Sequence, residues 1–161
     1  MIDIKPLDRN FLGEQMKSLT FHLLNGPYYC PDAVRDYNPL VKTLKRLFEE
    51  KDAVFMALLN GQTLSGVFGL VNVCRGHQAQ FISWIWDKPA LTPGLIKKLR
   101  DFLIYCKDVY ALKRIAAQTA CEKHERILNL VGFKIEGRFR NAFRWNGELR
   151  PLVMMRIIGE L

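Results

Sequence analysis

Residues 125–138 read ERILNLVGFKIEGR and contain the most specific structural pattern of the sequence. Ile127, Leu128 and Val131 recur at helical spacing, so they form one apolar face of a short helix. Gly132 follows that face directly and is the residue type that ends a helix, because glycine adopts positive φ without strain. The stretch therefore predicts a short helix that passes at once into a strand beginning near Phe133.

The sequence on either side extends this unit. Thr119 and Glu122 match a capping box at the start of the helix. Asn146-Gly147 is a strong signal for a β-hairpin, because both residues tolerate the positive φ of a tight turn. The predicted elements of this region are strands at residues 114–118, 133–145 and 148–158.

The N-terminal two thirds alternate between helical and strand periodicity. Asn38-Pro39 and Thr92-Pro93 each combine an N-cap residue with proline at the first helical position, so each predicts a helix start. The predicted strands are residues 2–6, 53–59, 64–74 and 78–86, and the predicted helices are residues 12–23, 38–48 and 92–106. The second to fourth of these strands follow one another without an intervening helix, which implies three antiparallel strands in a row.

The composition is that of one ordinary globular domain. The 161 residues are 49% hydrophobic and 25% charged, which excludes disordered, collagen-like and coiled-coil classes. The formal net charge of +8 favours anionic partners, but charge alone does not choose among phosphates, acidic proteins, nucleic acid and lipid surfaces.

The cysteines and the uncharged segments give predictions about the cellular compartment and about membrane association. The cysteines are Cys30, Cys74, Cys106 and Cys121. They contain no C-x-x-C pair, which argues against a zinc site and predicts buried free thiols in a reduced, cytoplasmic setting without a metal. Residues 53–74 carry no charge, but residues 60–63 break them into two strand-length pieces, so we expect a hairpin and no membrane association. The N-terminus lacks the apolar stretch of a signal peptide.

The order of elements resembles the GNAT acyltransferase fold along nearly the whole chain. The stretch at 125–138, together with residues 112–115 and 145–147, is similar to the branch that acetylates the N-termini of ribosomal proteins, and residues 99–106 fall in the family's register without gaps. The resemblance implies a single α/β (α+β) domain over residues 1–161. It also implies a mixed central sheet of six to seven strands, about four helices, and a V-shaped splay between the fourth and fifth strands.

The resemblance further implies acetyl-CoA as co-substrate. In the family, pantetheine lies in the splay like an extra strand, and the pyrophosphate lies at the N-terminus of the next helix. The family's glycine loop falls here at Ala90, Pro93 and Leu95, where proline has no N–H and leucine adds a side chain. The candidate cofactor-binding residues are Ile85, Trp86, Lys88, Leu91, Thr92, Gly94, Leu95, Lys97 and Lys98. The alternative is that Thr92-Pro93 only caps a helix and the lysines form a solvated face.

Catalysis of acyl transfer needs a group that takes the amine's proton and a donor that protonates the departing thiolate. By the resemblance, the family's carboxylate falls at Gln80, its tyrosine acid at Leu128 and its helix-opening asparagine at Cys121. A serine used as acid in the ribosomal-protein branch falls at His124, whose imidazole ordinarily titrates near neutral pH. The catalytic candidates are therefore His124 and Cys121. The alternatives are a helix-terminal histidine without chemistry and a cysteine chosen for its small size.

Two pairs of residues are candidates for contact with the acceptor. Tyr28 and Tyr29 could line a binding cleft or simply pack. Arg138 and Arg140 alternate with Phe139, so we expect both arginines on one sheet face, where they could bind an acidic substrate tail or a nucleic-acid phosphate. The alternative for the arginines is a solvated face. No nucleic-acid-binding signature accompanies them, so nucleic acid is not favoured as the main partner.

Two functions follow from these observations. The first is an N-acyltransferase that moves an acetyl group from acetyl-CoA to a primary amine by direct attack, the amine being a protein N-terminus, a lysine or a small molecule. The second is a GNAT-fold protein that has lost catalysis and serves in binding or structure, for example in a bacteriophage virion. For either function we expect a monomer or a homodimer, with an acidic protein as one candidate acceptor.

Overall fold

The computed structural model describes residues 2–7, 9–25, 36–87, 92–145 and 147–158. The helices in these ranges are α1 (Arg9–Asn25), α2 (Tyr37–Glu49), α3 (Pro93–Val109) and α4 (Glu122–Val131). The strands are β1 (Ile2–Pro6), β2 (Val54–Asn60), β3 (Thr63–Cys74), β4 (Gln78–Ile85), β5 (Arg114–Thr119), β6 (Lys134–Trp145) and β7 (Glu148–Ile158).

The strands form one mixed sheet in the order β1-β2-β3-β4-β5-β7-β6. β4 and β5 pair in parallel, and the other neighbours pair antiparallel. The expected sheet of six to seven strands, with about four helices and a parallel pair between the fourth and fifth strands, is confirmed.

Apolar side chains cover both faces of the central part of the sheet, and β3 is buried on both sides from Leu64 to Val71. One cluster joins α3 and α4 to the sheet and includes Phe81, Ile85 and Leu128. The other joins α1 and α2 to the opposite face and includes Leu19 and Leu44. Alternate residues of β4 are buried from Ala79 to Ile85, which places them on the α3–α4 side.

The predicted N-cap of α3 is confirmed, whereas the predicted starts of α2 and α4 are wrong. Thr92 Oγ1 accepts a hydrogen bond from the Leu95 N–H at 3.2 Å. α2 begins at Tyr37 after the N-cap Asp36, because the Leu40 N–H donates to the Asp36 carbonyl and so closes the first turn earlier than expected. The capping box of α4 was also wrong: Thr119 ends β5, and Cys121 is the N-cap without a side-chain bond.

The end of α4 is as predicted. Gly132 has φ +121°, and its N–H donates to the Leu128 and Asn129 carbonyls at 3.1 Å each. Phe133 N–H also donates to the Leu128 carbonyl at 2.9 Å, so the chain turns directly into β6.

The terminal hairpin is irregular where a regular one was expected. The ladder pairs Phe139 with Leu152 and then Phe143 with Arg150, so residues 140–142 lie opposite the single residue Pro151. Proline has no N–H for the ladder, and Asn141 has φ +52° within the bulge. Regular alternation ends at Phe139, and the ladder therefore gives no support for a common face of Arg138 and Arg140.

The cysteine prediction holds in part. Cys74, Cys106 and Cys121 are free thiols, but Cys74 is exposed because it lies at the open end of β3. Burial raises the pKa of the Cys106 thiol to about 12. Cys30 lies outside the described residues. In the part of the chain that the structure describes, no helix has the length and apolar character needed to cross a membrane.

Candidate active site

The main feature of the sheet is a gap between β4 and β5. The two strands pair only from Gln78 to Gln80, and β4 continues to Ile85 while β5 continues to Thr119 without further pairing between them. This is the V-shaped splay expected between the fourth and fifth strands.

Backbone groups of β4 point into this gap. The Arg114 N–H donates to the His77 carbonyl on the β5 side, whereas the Trp86 N–H donates to the Ser65 carbonyl on the β3 side. Because successive residues of a strand direct their backbone groups to opposite sides, the N–H groups of Ser83 and Ile85 face the gap.

Three side chains form a polar bridge across the gap on the α3–α4 side of the sheet. Ser83 Oγ of β4 lies 2.7 Å from His124 Nε2, and His124 Nδ1 lies 3.1 Å from Thr119 Oγ1 of β5. Ser83 and Thr119 are each 5% exposed, although they belong to an otherwise apolar face. We call Ser83, His124 and Thr119 the polar bridge.

His124 is the centre of the polar bridge and is neutral at pH 7. Burial lowers its pKa to about 4, because loss of hydration disfavours the charged imidazolium. Both ring nitrogens face hydroxyl oxygens, Nε2 that of Ser83 and Nδ1 that of Thr119.

The N-terminus of α3 offers few free N–H groups. Pro93 has none, and the Leu95 N–H is bonded to the Thr92 hydroxyl. The Gly94 N–H has no partner among the residues that the structure describes. The Leu95 side chain is 2% exposed and belongs to the core, so its predicted cofactor contact is not available from that side chain.

The other predicted cofactor residues are spread around the end of β4 and the first turns of α3. Ile85 is buried in the core, and Trp86 donates its indole N–H to the Leu64 carbonyl while it stacks on His22. Lys97 contacts Asp101 at 2.7 Å, and Lys98 is exposed on the same helix. Lys88 and Leu91 lie outside the described residues.

Two of the positions to which the resemblance assigns catalytic groups carry side chains that do not titrate. Gln80 accepts a hydrogen bond from the Asn72 side-chain amide at 3.1 Å, and Leu128 is buried in the core. Cys121 is half-buried at the start of α4, beside the polar bridge in sequence, and its N–H donates to Thr119 Oγ1 at 3.1 Å. His124 is the predicted catalytic candidate that contacts both strands of the gap.

Of the predicted acceptor residues, the structure describes Arg138 and Arg140, and the two differ in their contacts. Arg138 makes two hydrogen bonds to the Glu125 carboxylate, at 3.1 and 2.5 Å, and so ties β6 to α4. Arg140 is exposed in the bulge. Tyr28 and Tyr29 lie outside the described residues.

Sequence reasoning missed Ser83 and the contact of Thr119 with His124. The available signal was a lone hydroxyl on the buried face of a strand, because Ser83 falls in register with Ala79, Phe81 and Ile85. A buried polar side chain needs a hydrogen-bond partner, so Ser83 predicts a hydrogen bond to a residue of another element.

Comparison with solved structures identifies the fold. A chimera of the spermidine N-acetyltransferase SpeG from Vibrio cholerae with hSSAT matches with a TM-score of 0.73 and 18% identity, covering 98% of this chain and 95% of that one. The V. cholerae spermidine N-acetyltransferase in complex with CoA and spermine matches with a TM-score of 0.70 and 19% identity, over the same shares. A probable acetyltransferase matches with a TM-score of 0.69 and 22% identity, covering 98% and 92%.

The chain has the GNAT acetyltransferase fold. No family model matches the sequence, and no curated protein matches it either. The ribosomal-protein branch of the GNAT proteins therefore stays a prediction. In the described ranges, no group of three or more His, Cys, Asp or Glu side chains is placed to hold a metal ion.

Proposed function

We propose that this protein moves an acetyl group from acetyl-CoA to a primary amine. The observation that carries the proposal is the gap between β4 and β5, which is lined by backbone N–H groups on one strand and crossed by the polar bridge. The structural neighbours support it, since they include spermidine N-acetyltransferases, one of them in complex with CoA.

The residues of the gap fit the chemistry of acetyl-CoA. A pantetheine arm carries amides that pair with a strand edge, and the N–H and carbonyl groups of Ser83 and Ile85 supply such an edge. The pyrophosphate is proposed to lie against the Gly94 N–H, where the α3 dipole favours negative charge. Lys97 and Lys98 add positive charge; the Lys97–Asp101 pair is exposed and costs little to open.

The transfer needs stabilisation of an oxyanion and a path for one proton. The amine attacks the thioester carbonyl, and a β4 N–H that faces the gap stabilises the charge on the carbonyl oxygen. The polar bridge lies beside that position and is proposed to take part in returning a proton to the departing thiolate, with His124 acting through the hydroxyl that contacts its Nε2.

The net charge favours one chemical class of amine acceptor. At +8 the protein attracts anionic molecules and repels polycations, so we propose an amine carried by an acidic molecule, such as the N-terminus or a lysine of an acidic protein. The exposed Arg140 is proposed to contribute to this preference. A cytoplasmic location, with the protein as a monomer or homodimer, remains part of the proposal.

The proposed function is tested by following thiol release from acetyl-CoA in the presence of matched acceptor peptides. An acidic peptide with a free N-terminus should be acetylated, and the same peptide with a blocked N-terminus and no lysine should not. Release of CoA at equal rates with both peptides would show that the amine is not the acceptor.

A second candidate function is a binding domain without turnover. It is favoured by the start of α3, where the Leu95 N–H donates to the Thr92 hydroxyl and Pro93 has no N–H. The cofactor's pyrophosphate therefore meets fewer hydrogen-bond donors than a glycine-rich loop would give. Binding of acetyl-CoA without any thiol release would support this candidate. The structures compared above are named as acetyltransferases, so a bacteriophage virion role gains no support from them.

A further inference from the structure

A second polar network lies at the apex of the gap, where β4 and β5 begin to separate. Gln80 is the last residue of β4 that pairs with β5. Because its neighbours Ala79 and Phe81 belong to the α3–α4 cluster, Gln80 points to the α1–α2 side of the sheet, opposite the polar bridge. The Asn72 side-chain amide donates to Gln80 Oε1 at 3.1 Å, and the Asn72 backbone N–H donates to Glu50 Oε2 at 2.9 Å. We call Glu50, Asn72 and Gln80 the apical network.

A β-bulge holds Asn72 in this network. The register of β3 against β4 shifts between Val71 and Cys74, so β3 carries one extra residue at this point. Asn72 lies in the bulge with φ +51°, a conformation that is uncommon for residues other than glycine. The Glu50 carboxylate accepts the N–H of this residue. A strained backbone persists where surrounding contacts hold it, and such positions are concentrated at functional sites.

Glu50 has one carboxylate oxygen available for a ligand. Its Oε2 accepts from Asn72, whereas Oε1 has no hydrogen bond or ion pair with any residue that the structure describes. The side chain is half-buried and lines an open groove of about 880 Å³ beside α2. A carboxylate that is fixed through one oxygen and open at the other can bind an ammonium group through charge-assisted hydrogen bonds.

The groove carries positive charge further along α2. Lys42, Lys45 and Arg46 are exposed side chains that line it, and Glu50 lies at its C-terminal end. A rise of 1.5 Å per residue places Glu50 about 6 Å from Arg46 and about 12 Å from Lys42 along the helix axis. An extended chain spans this distance in roughly two to four residues. The groove therefore fits an amine that is followed by carboxylates.

We propose that Glu50 binds the amine of the acceptor, and that Asn72 and Gln80 position its carboxylate at the apex of the gap. The inference rests on the proposed function, because it takes the acetyl thioester to lie in the gap. Glu50 Oε1 accepts hydrogen bonds from the ammonium group, and Lys45 and Arg46 contact carboxylates further along the same acceptor. The site holds the nitrogen beside the thioester, and this fixed proximity accelerates the attack.

The transfer itself is a direct attack by the amine. One proton of the bound ammonium leaves to solvent through the open groove, which gives the neutral amine. The nitrogen then attacks the thioester carbonyl carbon, the carbon–sulfur bond breaks, and a second proton of the nitrogen moves to the thiolate sulfur. The products are an amide and free CoA. Because Glu50 contributes no reacting atom, its loss should weaken acceptor binding more than it slows the bound complex.

The test compares Glu50→Gln with Glu49→Gln, which removes the same charge from an exposed neighbour outside the apical network. Glu50→Gln keeps an oxygen for the Asn72 N–H but removes the charge that binds an ammonium. It should raise KM for an acidic peptide with a free N-terminus about tenfold or more, and leave KM for acetyl-CoA unchanged. Glu49→Gln should change both constants by less than about twofold.

Two further substitutions test the apical network. Gln80→Glu places a carboxylate one hydrogen bond away that still accepts the Asn72 amide, so adding it to Glu50→Gln should lower KM for the peptide again. Asn72→Gly suits the positive φ and removes the amide that contacts Gln80, so it should raise KM for the peptide in a folded protein. Thermal melts show that each variant is folded.

The outcomes distinguish this inference from the proposed function. Equal KM values for the peptide in Glu50→Gln and Glu49→Gln would show that Glu50 does not bind the amine, while acetyl transfer stands. Fluorescence anisotropy of a peptide labelled at its C-terminus measures acceptor binding without turnover. If no protein transfers acetyl groups but the wild type binds this peptide more tightly than Glu50→Gln does, the acceptor site stands and the transfer proposal falls. Equal peptide binding without any transfer would overturn both.

Discussion

At the scale of single residues, Gly69 of β3 lies so close to β2 that there is no room for a side chain. A Cβ at Gly69 would lie 2.2 Å from the Val54 carbonyl oxygen and 2.7 Å from Phe55 Cδ1. Gly69→Ala should therefore lower the free energy of unfolding by about 3 kcal/mol or more, because the backbone of β2 has to shift. Chemical denaturation measures this change.

Gly13 of α1 provides the matched control for that substitution. A Cβ at Gly13 has no atom within 4 Å, and the residue is helical. Gly13→Ala should raise the free energy of unfolding by about 0.5 to 1 kcal/mol. Equal effects of the two substitutions would contradict the close approach of β2 and β3.

His124 should make stability depend on pH. Its pKa is about 4 in the folded protein and near 6.5 when unfolded, so the unfolded chain binds the proton first as pH falls. The folded state should lose up to about 3 kcal/mol between pH 6.5 and 4 and lose nothing further from this group below that range. Urea titrations at several pH values measure the loss.

The variant His124→Gln isolates this contribution, because the amide keeps polar contacts and does not titrate. Carboxylates and His22 contribute equally to both proteins, so the difference between their pH profiles reports on His124. Identical profiles would mean that His124 is not buried as a neutral imidazole.

At the scale of elements, α3 should bind the cofactor weakly, for a reason that one substitution tests. Pro93→Ala supplies an N–H in the first turn, and a single additional hydrogen bond should tighten acetyl-CoA binding by roughly two- to tenfold. Calorimetry measures the affinity, and a thermal melt separates it from any effect on helix stability. An unchanged dissociation constant would place the pyrophosphate away from this helix.

The contact between α4 and β6 leads to a second prediction about elements. The guanidinium of Arg138 is already paired with Glu125, while Arg140 is exposed in the bulge of β6. Arg140→Glu should therefore raise KM for an acidic acceptor peptide several-fold more than Arg138→Glu does. Steady-state kinetics with one peptide decide the point, and equal effects would show that both arginines bind the acceptor.

Element boundaries also show what the sequence could predict. Gly132 and Thr92 act locally, through backbone conformation and a hydrogen bond three residues away, so both predictions hold. Thr119 fits a local capping pattern equally well, yet it ends β5 and contacts His124, because β5 pairs with β7 as far as Thr119. A contact with a distant element decided its role, and local patterns do not contain that information.

At the scale of the whole molecule, the order of elements was predictable and the chemistry of the gap was not. Hydrophobic periodicity and turn residues suffice to place seven strands and four helices in the described ranges. In the sequence, Ser83 lies 36 positions before Thr119 and 41 positions before His124. The folding of the sheet brings the three residues of the polar bridge together. Ser83 was visible only as a hydroxyl on a buried face.

The central claim is that the gap between β4 and β5 binds acetyl-CoA, and calorimetric titration of the protein with acetyl-CoA tests it most directly. We predict saturable binding at one site, with a stabilisation of about 2.7 kcal/mol in a parallel unfolding experiment at a hundred times the dissociation constant. Absence of both heat and stabilisation at millimolar acetyl-CoA would contradict the claim.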